Sequence, residues 1–73
     1  MTIGEQIQNL RIAKNLTQEQ FAELLEVSRQ SVSKWELGMS QRDIEDTLKG
    51  IYGAEISQGL ISRITDKIRF YRR

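Results

Sequence analysis

Residues 16–38 read LTQEQFAELLEVSRQSVSKWELG, and this stretch predicts two short helices joined by a tight turn. Thr17, with Gln20 three residues later, has the pattern of a capping box at the start of the first helix. Ser28 is a suitable N-cap for the second helix, and Gly38 is a typical residue for its C-terminal end. The whole stretch is therefore predicted to form a helix, a turn and a helix.

The rest of the chain extends this helical pattern on both sides. It contains no Pro, and its apolar residues recur mostly at spacings of three and four, which favours helices throughout. The five helices are predicted at about residues 2–14, 18–26, 29–37, 40–52 and 58–72. In the first helix, the residues expected to point inward are Ile3, Ile7, Leu10 and Ile12. Residues 54–56 are predicted to form a turn, with Ser57 as the cap of the fifth helix.

We expect a single all-α domain over residues 1–73. It would consist of two helix-turn-helix units, about 1–38 and about 39–73, that share one core, because about 35 residues with two helices cannot easily bury a core alone. The residues predicted for this core are Ile7, Leu10, Phe21, Leu24, Leu25, Val27, Val32, Trp35, Ile44, Leu48, Ile51, Leu60, Ile61 and Ile64.

The composition excludes several classes of protein. The 73 residues include no Cys and no His, so a disulfide framework, a thiolate metal site and His-based catalysis are not expected. No apolar run approaches the roughly 18 residues of a membrane helix, and residues 1–5 do not start like a secretory signal. No nucleophile–base pair or Gly-rich phosphate loop is visible. We therefore expect a cytoplasmic, non-enzymatic protein without metal, cofactor, membrane partner or small-molecule substrate.

The net charge of +1 hides an uneven distribution. The last seven residues contain four cations, Lys67, Arg69, Arg72 and Arg73. A basic end of this kind serves an anionic partner or is simply a solvated helix terminus. The apolar side chains at the same end have two interpretations as well, a dimer interface or loosely packed terminal residues. These side chains are Ile68, Phe70 and Tyr71.

Three segments carry a resemblance to a known family. They are residues 7–11, IQNLR, residues 16–22, LTQEQFA, and residues 27–36, VSRQSVSKWE, with Gly38 after the last one. Over residues 3–38 the chain resembles the Xre-type, phage-repressor-like helix-turn-helix family. Glu26 departs from the family, which often has Gly at this turn. The resemblance implies a compact five-helix repressor-like fold that binds double-stranded DNA sequence-specifically, as in a transcriptional repressor or regulator.

Under this resemblance, the polar face of the second helix of the motif would enter the major groove of DNA. The residues expected to contact bases are Arg29, Gln30, Ser33 and Lys34. An Arg or Lys side chain pairs with guanine O6 and N7, and a Gln side chain with adenine N6 and N7. The residues expected to contact phosphates are Thr17, Gln18, Arg11 and Arg42, together with the basic tail. The alternative is an ordinary solvated helix face.

The second half of the chain resembles a different family. Residues 38–44, GMSQRDI, residues 51–57, IYGAEIS, and residues 60–67, LISRITDK, look like the helix-turn-helix of Mutator-type bacterial transposases over about residues 38–68. The Asp–Asp–Glu catalytic domain of that family is absent, which excludes transposition chemistry for this chain. The residues that this resemblance implies for a second DNA contact are Gln58, Ser62 and Arg63. A purely structural role for this half is the alternative.

The junction between the two resemblances suggests a natural recombinant or an engineered chimera. A two-fold homodimer would present paired recognition helices and would prefer an inverted repeat in the DNA. Two other functions stay open at this point. The first is a protein-interaction module that uses the apolar stripe of the fifth helix, and the second is a hybrid domain without a physiological DNA target.

Overall fold

Hydroxyl side chains determine where the first four helices begin. In the computed structural model, Thr2, Thr17, Ser28 and Ser40 each accept a hydrogen bond from the backbone N–H three residues later, at 3.1–3.3 Å. These bonds satisfy N–H groups that the first turn of a helix leaves without a partner. The fifth helix begins after Gly59 and has no side-chain cap.

The structure describes residues 2–69 and 71, apart from the side chains of residues 55, 57 and 58. Within these residues the helices are α1 (Ile3–Ala13), α2 (Gln18–Leu25), α3 (Arg29–Glu36), α4 (Gln41–Tyr52) and α5 (Leu60–Ile68), with a 3₁₀ helix (Gly53–Gln58) between α4 and α5. The predicted all-α, five-helix fold is confirmed.

The turn between α2 and α3 depends on a left-handed residue. Glu26 is the C-cap of α2 with φ 62° and ψ 37°, a conformation in which Gly is the least strained residue. The chain then reverses, and the N–H of Val27 donates to the carbonyl of Ala22 at 2.9 Å. The Glu at this position is thus accommodated by the turn that the sequence predicted.

One cluster of buried side chains includes residues from all five α-helices and from the 3₁₀ helix. Its members are Ile7, Leu16, Phe21, Ala22, Leu25, Val32, Trp35, Ile44, Leu48, Ile56, Leu60, Ile64 and Ile68. Half-buried apolar side chains that pack against it include Leu10, Leu24, Val27, Ile61 and Tyr71. Both halves of the sequence therefore contribute to the same packed interior.

Several predictions about individual residues were wrong. Ile12 and Ile51, which were expected inside, are 55% and 41% exposed, because each lies at the edge of its helix's apolar stripe. Ile68, for which the sequence left a dimer interface or loose terminal packing open, is 1% exposed and belongs to the core. Ile56 was assigned to a turn, but it is buried within the 3₁₀ helix. The N-cap of α5 is Gly59 rather than Ser57.

Helices α1 and α3 approach closely at Gly4. A Cβ atom at this position would overlap the backbone carbonyl oxygen of Trp35 and come within 3.4 Å of the Cα of Glu36. Gly4 is buried, so the missing side chain is what allows the two backbones to come together. This contact fixes the C-terminal end of α3 against the start of α1.

Candidate nucleic-acid interface

Helix α3 is anchored through one face. Val32 and Trp35 are fully buried at 0% exposure, and they pack this face against the interior formed with α1 and α2. The helix begins at Ser28, whose Oγ accepts from the N–H of Ser31 at 3.2 Å and lies 3.0 Å from the Ser31 hydroxyl. Both the position and the start of α3 are therefore well defined.

The opposite face of α3 carries the residues predicted to read bases. Arg29, Gln30 and Lys34 are exposed, and Ser33 is half-buried. Within residues 2–69 and 71, the side chains of these four residues make no hydrogen bond or ion pair with the rest of the protein. The structure thus places all four on one surface whose donors and acceptors are available to a partner.

A largely buried carboxylate lies at the inner edge of this surface. Glu36 is 6% exposed and accepts from Arg11 Nε at 2.8 Å, from Arg11 Nη2 at 3.2 Å and from Gln18 Nε2 at 3.1 Å. Arg11 Nη1 also donates to the carbonyl of Leu16 at 2.8 Å. Glu36 at the end of α3 therefore joins α1 to the first residue of α2, and Arg11 extends this network to the loop before α2.

This network changes the assignment of Arg11. The Arg11 side chain is 15% exposed, and its guanidinium is already occupied by a two-point ion pair and a backbone carbonyl, so it acts within the protein. The phosphate contact that the sequence predicts for Arg11 is therefore not proposed. Sequence reasoning also gave Glu36 no role, because a carboxylate at the end of a polar helix has no local signal that distinguishes it from a solvated one.

The start of α2 lies beside this network and has the features of a phosphate contact. Thr17 forms a reciprocal capping box, in which its Oγ accepts from the N–H of Gln20 and the Gln20 side chain accepts from the N–H of Thr17 at 2.9 Å. Gln18, half-buried, has its amide oriented by Glu36. The first N–H groups of a helix have no intrahelical acceptor and attract anions.

The other predicted DNA contacts lie on different elements. Arg42 is exposed in the first turn of α4, and Ser62 and Arg63 are exposed on α5. The side chain of Gln58 and the whole of Phe70 lie outside the described residues. Tyr71 is half-buried against the core next to buried Ile68. In the dimer patch predicted at this end, Ile68 is therefore not accessible to a partner and Tyr71 is only partly accessible.

The groups with shifted pKa values lie away from α3. Burial raises the pKa of Tyr52, and the negative charge of Glu26 adds to the effect. The Tyr52 ring also lies 5.6 Å from the Lys67 ammonium. The pKa of Glu5 is lowered, mainly because its carboxylate accepts from the backbone N–H of Thr2. These groups belong to helix caps and packing rather than to the exposed face of α3.

A comparison with known protein families matches residues 7–48 of this chain to the helix-turn-helix family. This region covers more than half of the 73 residues and contains α2, the turn and α3. The chain belongs to the helix-turn-helix family. It is a DNA-binding domain of the type found in transcriptional regulators, and such domains are not enzymes as a rule.

A curated relative agrees with this family. The HTH-type transcriptional activator BcrR of Enterococcus faecalis is 53% identical to this helix-turn-helix domain over 45 residues, which is 62% of the chain. The chain spans only 22% of the length of that relative. No solved structure matches the chain.

The family match also bears on the second half of the domain. It continues past Gly38 to Leu48, so most of α4 belongs to the same helix-turn-helix family as α2 and α3. The comparisons give no support to the transposase resemblance of residues 38–68 or to a chimera.

Two observations concern other kinds of site. In the described part of the chain, no group of three or more acidic, His or Cys side chains is arranged to hold a metal ion. Among the described helices, none combines the length and the apolar character that a membrane crossing requires.

Proposed function

We propose that this domain binds a specific sequence in double-stranded DNA with α3 in the major groove, and that it regulates transcription in this way. The observation that carries the proposal is the division of α3 into two faces. One face is buried at Val32 and Trp35, whereas the other presents Arg29, Gln30 and Lys34, whose side chains have no hydrogen-bond or ion-pair partner among the described residues.

The dimensions of α3 suit this mode of binding. An α-helix with its side chains is about 10–12 Å wide, close to the ~12 Å width of the major groove. Arg29 and Lys34 would each donate to guanine O6 and N7, and Gln30 would pair with adenine N6 and N7. Ser33, which is shorter, would contact either type of base from the side of the groove.

The phosphate contacts would come from the start of α2 and from α4. Gln18 is held by Glu36 through one amide hydrogen, which leaves the other amide hydrogen for a phosphate oxygen. The backbone N–H groups at the start of α2 and the Thr17 hydroxyl would contact the same strand, and Arg42 would contact a phosphate further along. These contacts would set the register of α3 in the groove.

The assembly on DNA would be a homodimer on an inverted repeat. Half-sites one helical turn apart lie about 34 Å from centre to centre. The longest dimension of the domain, measured on its Cα atoms, is 30 Å, so two copies with this axis along the DNA would be neighbours. The curated relative is an activator, whereas the sequence resembles repressors. We therefore propose that the domain regulates transcription and assign it neither activation nor repression.

Selection of binding sites from a randomised duplex pool tests the proposal. We expect enrichment of an inverted repeat. The affinity for the selected duplex should fall by about fivefold or more for Arg29→Ala, Gln30→Ala or Lys34→Ala, since a good bidentate base contact contributes about 1–3 kcal/mol. Lys49→Ala, which removes an exposed cation from α4, is the matched control and should change affinity little.

The salt dependence of the same binding reaction tests the phosphate contacts. If about six phosphates are neutralised per bound unit, the logarithm of affinity should fall against the logarithm of salt concentration with a slope of about −5. Affinity that does not depend on salt, or a pool without any enriched sequence, would contradict DNA binding and would favour a protein-interaction module.

A further inference from the structure

Leu37 is the most exposed large apolar residue in the described part of the chain. Its exposure is 84%, compared with 55% for Ile12 and 41% for Ile51. It directly follows the last residue of α3 and is the C-cap of this helix. Its backbone stays in the right-handed helical region, with φ −81° and ψ −6°, and its N–H donates to the carbonyl of Ser33 at 3.1 Å.

This backbone geometry places Leu37 on the exposed face of α3. Residues three, four and seven positions apart share one side of a helix. Counted from Gln30, those positions are Ser33, Lys34 and Leu37. Successive residues turn by about 100°, so Leu37 and Gln30 point in nearly the same direction, opposite to buried Val32 and Trp35. Leu37 is thus the last member of the stripe that carries the proposed base contacts.

The major groove offers one apolar group to such a side chain. Each thymine presents its C5-methyl group there, and apolar side chains contact this methyl. For a helix that lies along the groove, seven residues span about 10.5 Å, or about three base-pair steps of B-DNA. We infer that Leu37 is a specificity-determining residue that packs on a thymine methyl group about three base pairs from the base contacted by Gln30. This inference rests on the proposed DNA binding of α3.

The test replaces single thymines by deoxyuridine, which removes the methyl group and leaves the base pair intact. Each thymine in the duplex selected by the wild-type chain is replaced in turn, and affinity is measured by fluorescence anisotropy for the wild type and for Leu37→Ala. At one position, where the C-terminal end of α3 would lie, we expect the affinity of the wild type to fall about fourfold, which is equivalent to one buried methyl group. Leu37→Ala should show no loss at that position.

Two controls separate this contact from general effects. Ile51→Ala removes an exposed apolar side chain from α4, and it should keep the sensitivity of the wild type to deoxyuridine. A second pool selection with Leu37→Ala should yield the same consensus at the Gln30 and Lys34 positions, with the preference for thymine lost at one position.

The outcomes distinguish this inference from the function on which it rests. A wild-type chain that enriches no sequence overturns DNA binding itself. Specific binding without any deoxyuridine-sensitive position, or with equal sensitivity in the wild type and Leu37→Ala, overturns the role of Leu37 alone. A variant that loses only cooperative binding to the inverted repeat would show that Leu37 contacts a second copy of the chain instead of thymine.

Discussion

Replacing Arg11 by Met would leave the Glu36 carboxylate buried without its charged partner. Glu36 would lose two of its three side-chain hydrogen bonds, those from Arg11 Nε and Nη2, and would keep the one from Gln18. The carbonyl of Leu16 would lose its bond to Arg11 Nη1 as well. Met preserves much of the aliphatic packing of the Arg side chain, so the change mainly removes charge and hydrogen bonds.

The size of the effect follows from the burial of the pair. Breaking a buried ion pair by removing one partner costs about 3–5 kcal/mol. Arg11 is 15% exposed and Glu36 6% exposed, so water reaches the site only in part and the lower end, about 3 kcal/mol, is expected. A chain of 73 residues has a total free energy of unfolding of roughly 4–11 kcal/mol. Arg11→Met should therefore remove a large share of the stability.

Urea unfolding followed by Trp35 fluorescence measures this loss directly. Trp35 is the single Trp of the chain and is fully buried, so its emission reports the loss of the core. The control is Asp66→Ala, which breaks an Asp66–Arg69 pair whose side chains are 55% and 60% exposed. Such a surface pair contributes about 0–1 kcal/mol, and the control should stay within that range of the wild type.

A double-mutant cycle then identifies the cause. Arg11→Met combined with Glu36→Met removes both charges, so the double variant should be at least about 2 kcal/mol more stable than the sum of the single effects predicts. Additive single effects, or a loss for Arg11→Met as small as that of the surface control, would refute the view that this ion pair is effectively buried.

Three further predictions concern the backbone and the pH dependence of stability, and all use the same unfolding assay. Gly4→Ala should lower the free energy of unfolding by about 1–3 kcal/mol, because the new Cβ overlaps the Trp35 carbonyl. Gly50→Ala, with open space around it, should raise the free energy of unfolding by about 0.5–1 kcal/mol. Equal effects of the two substitutions would contradict the close approach of α1 and α3. Glu26→Gly should raise the free energy of unfolding by about 0.5–1 kcal/mol, since Gly relieves the left-handed strain at φ 62°, and a loss would show that the Glu side chain has a stabilising role. The raised pKa of Tyr52 favours the neutral phenol in the folded state. The contribution of this phenol to stability is therefore present below about pH 10 and is lost as the pH rises through the folded pKa. The fall in the free energy of unfolding between about pH 9 and pH 11 should be smaller in Tyr52→Phe than in the wild type.

The starts of the first four helices could be predicted from single residues. Thr2, Thr17, Ser28 and Ser40 each combine a hydroxyl cap with a following apolar periodicity, and all four are N-caps in the structure. This works because capping is a local interaction between a side chain and a backbone N–H three residues away. The left-handed Glu26 was likewise predictable from the turn that the family resemblance implies.

The region before α5 could not be predicted in the same way. Ser57 has the side chain of a cap, but the chain first forms a 3₁₀ helix that buries Ile56, and α5 begins only after Gly59. Burial of Ile56 is a tertiary effect, and short 3₁₀ segments have no strong local signature. The apolar stripe of α5 is visible in the sequence, but helix periodicity does not show that Ile68 belongs to the core, because that depends on the position of its packing partners.

Polar contacts between residues far apart in the chain could not be predicted from the sequence either. Arg11 and Glu36 are 25 residues apart, and their ion pair depends on the packing of α1 against α3. An Arg next to a DNA-binding motif was therefore interpreted as a phosphate ligand. The exposed face of α3, in contrast, follows from helix periodicity alone, and the structure places Arg29, Gln30 and Lys34 on it.

The two faces of α3 have a consequence for how such a domain changes over time. Val32, Trp35 and Glu36 hold the helix in place, and substitutions there act on folding. The residues on the outer face do not take part in this packing, so they are free to vary with little effect on the stability of the domain. A succession of single substitutions on the outer face would thus move the protein from one DNA sequence to another while every intermediate remained folded.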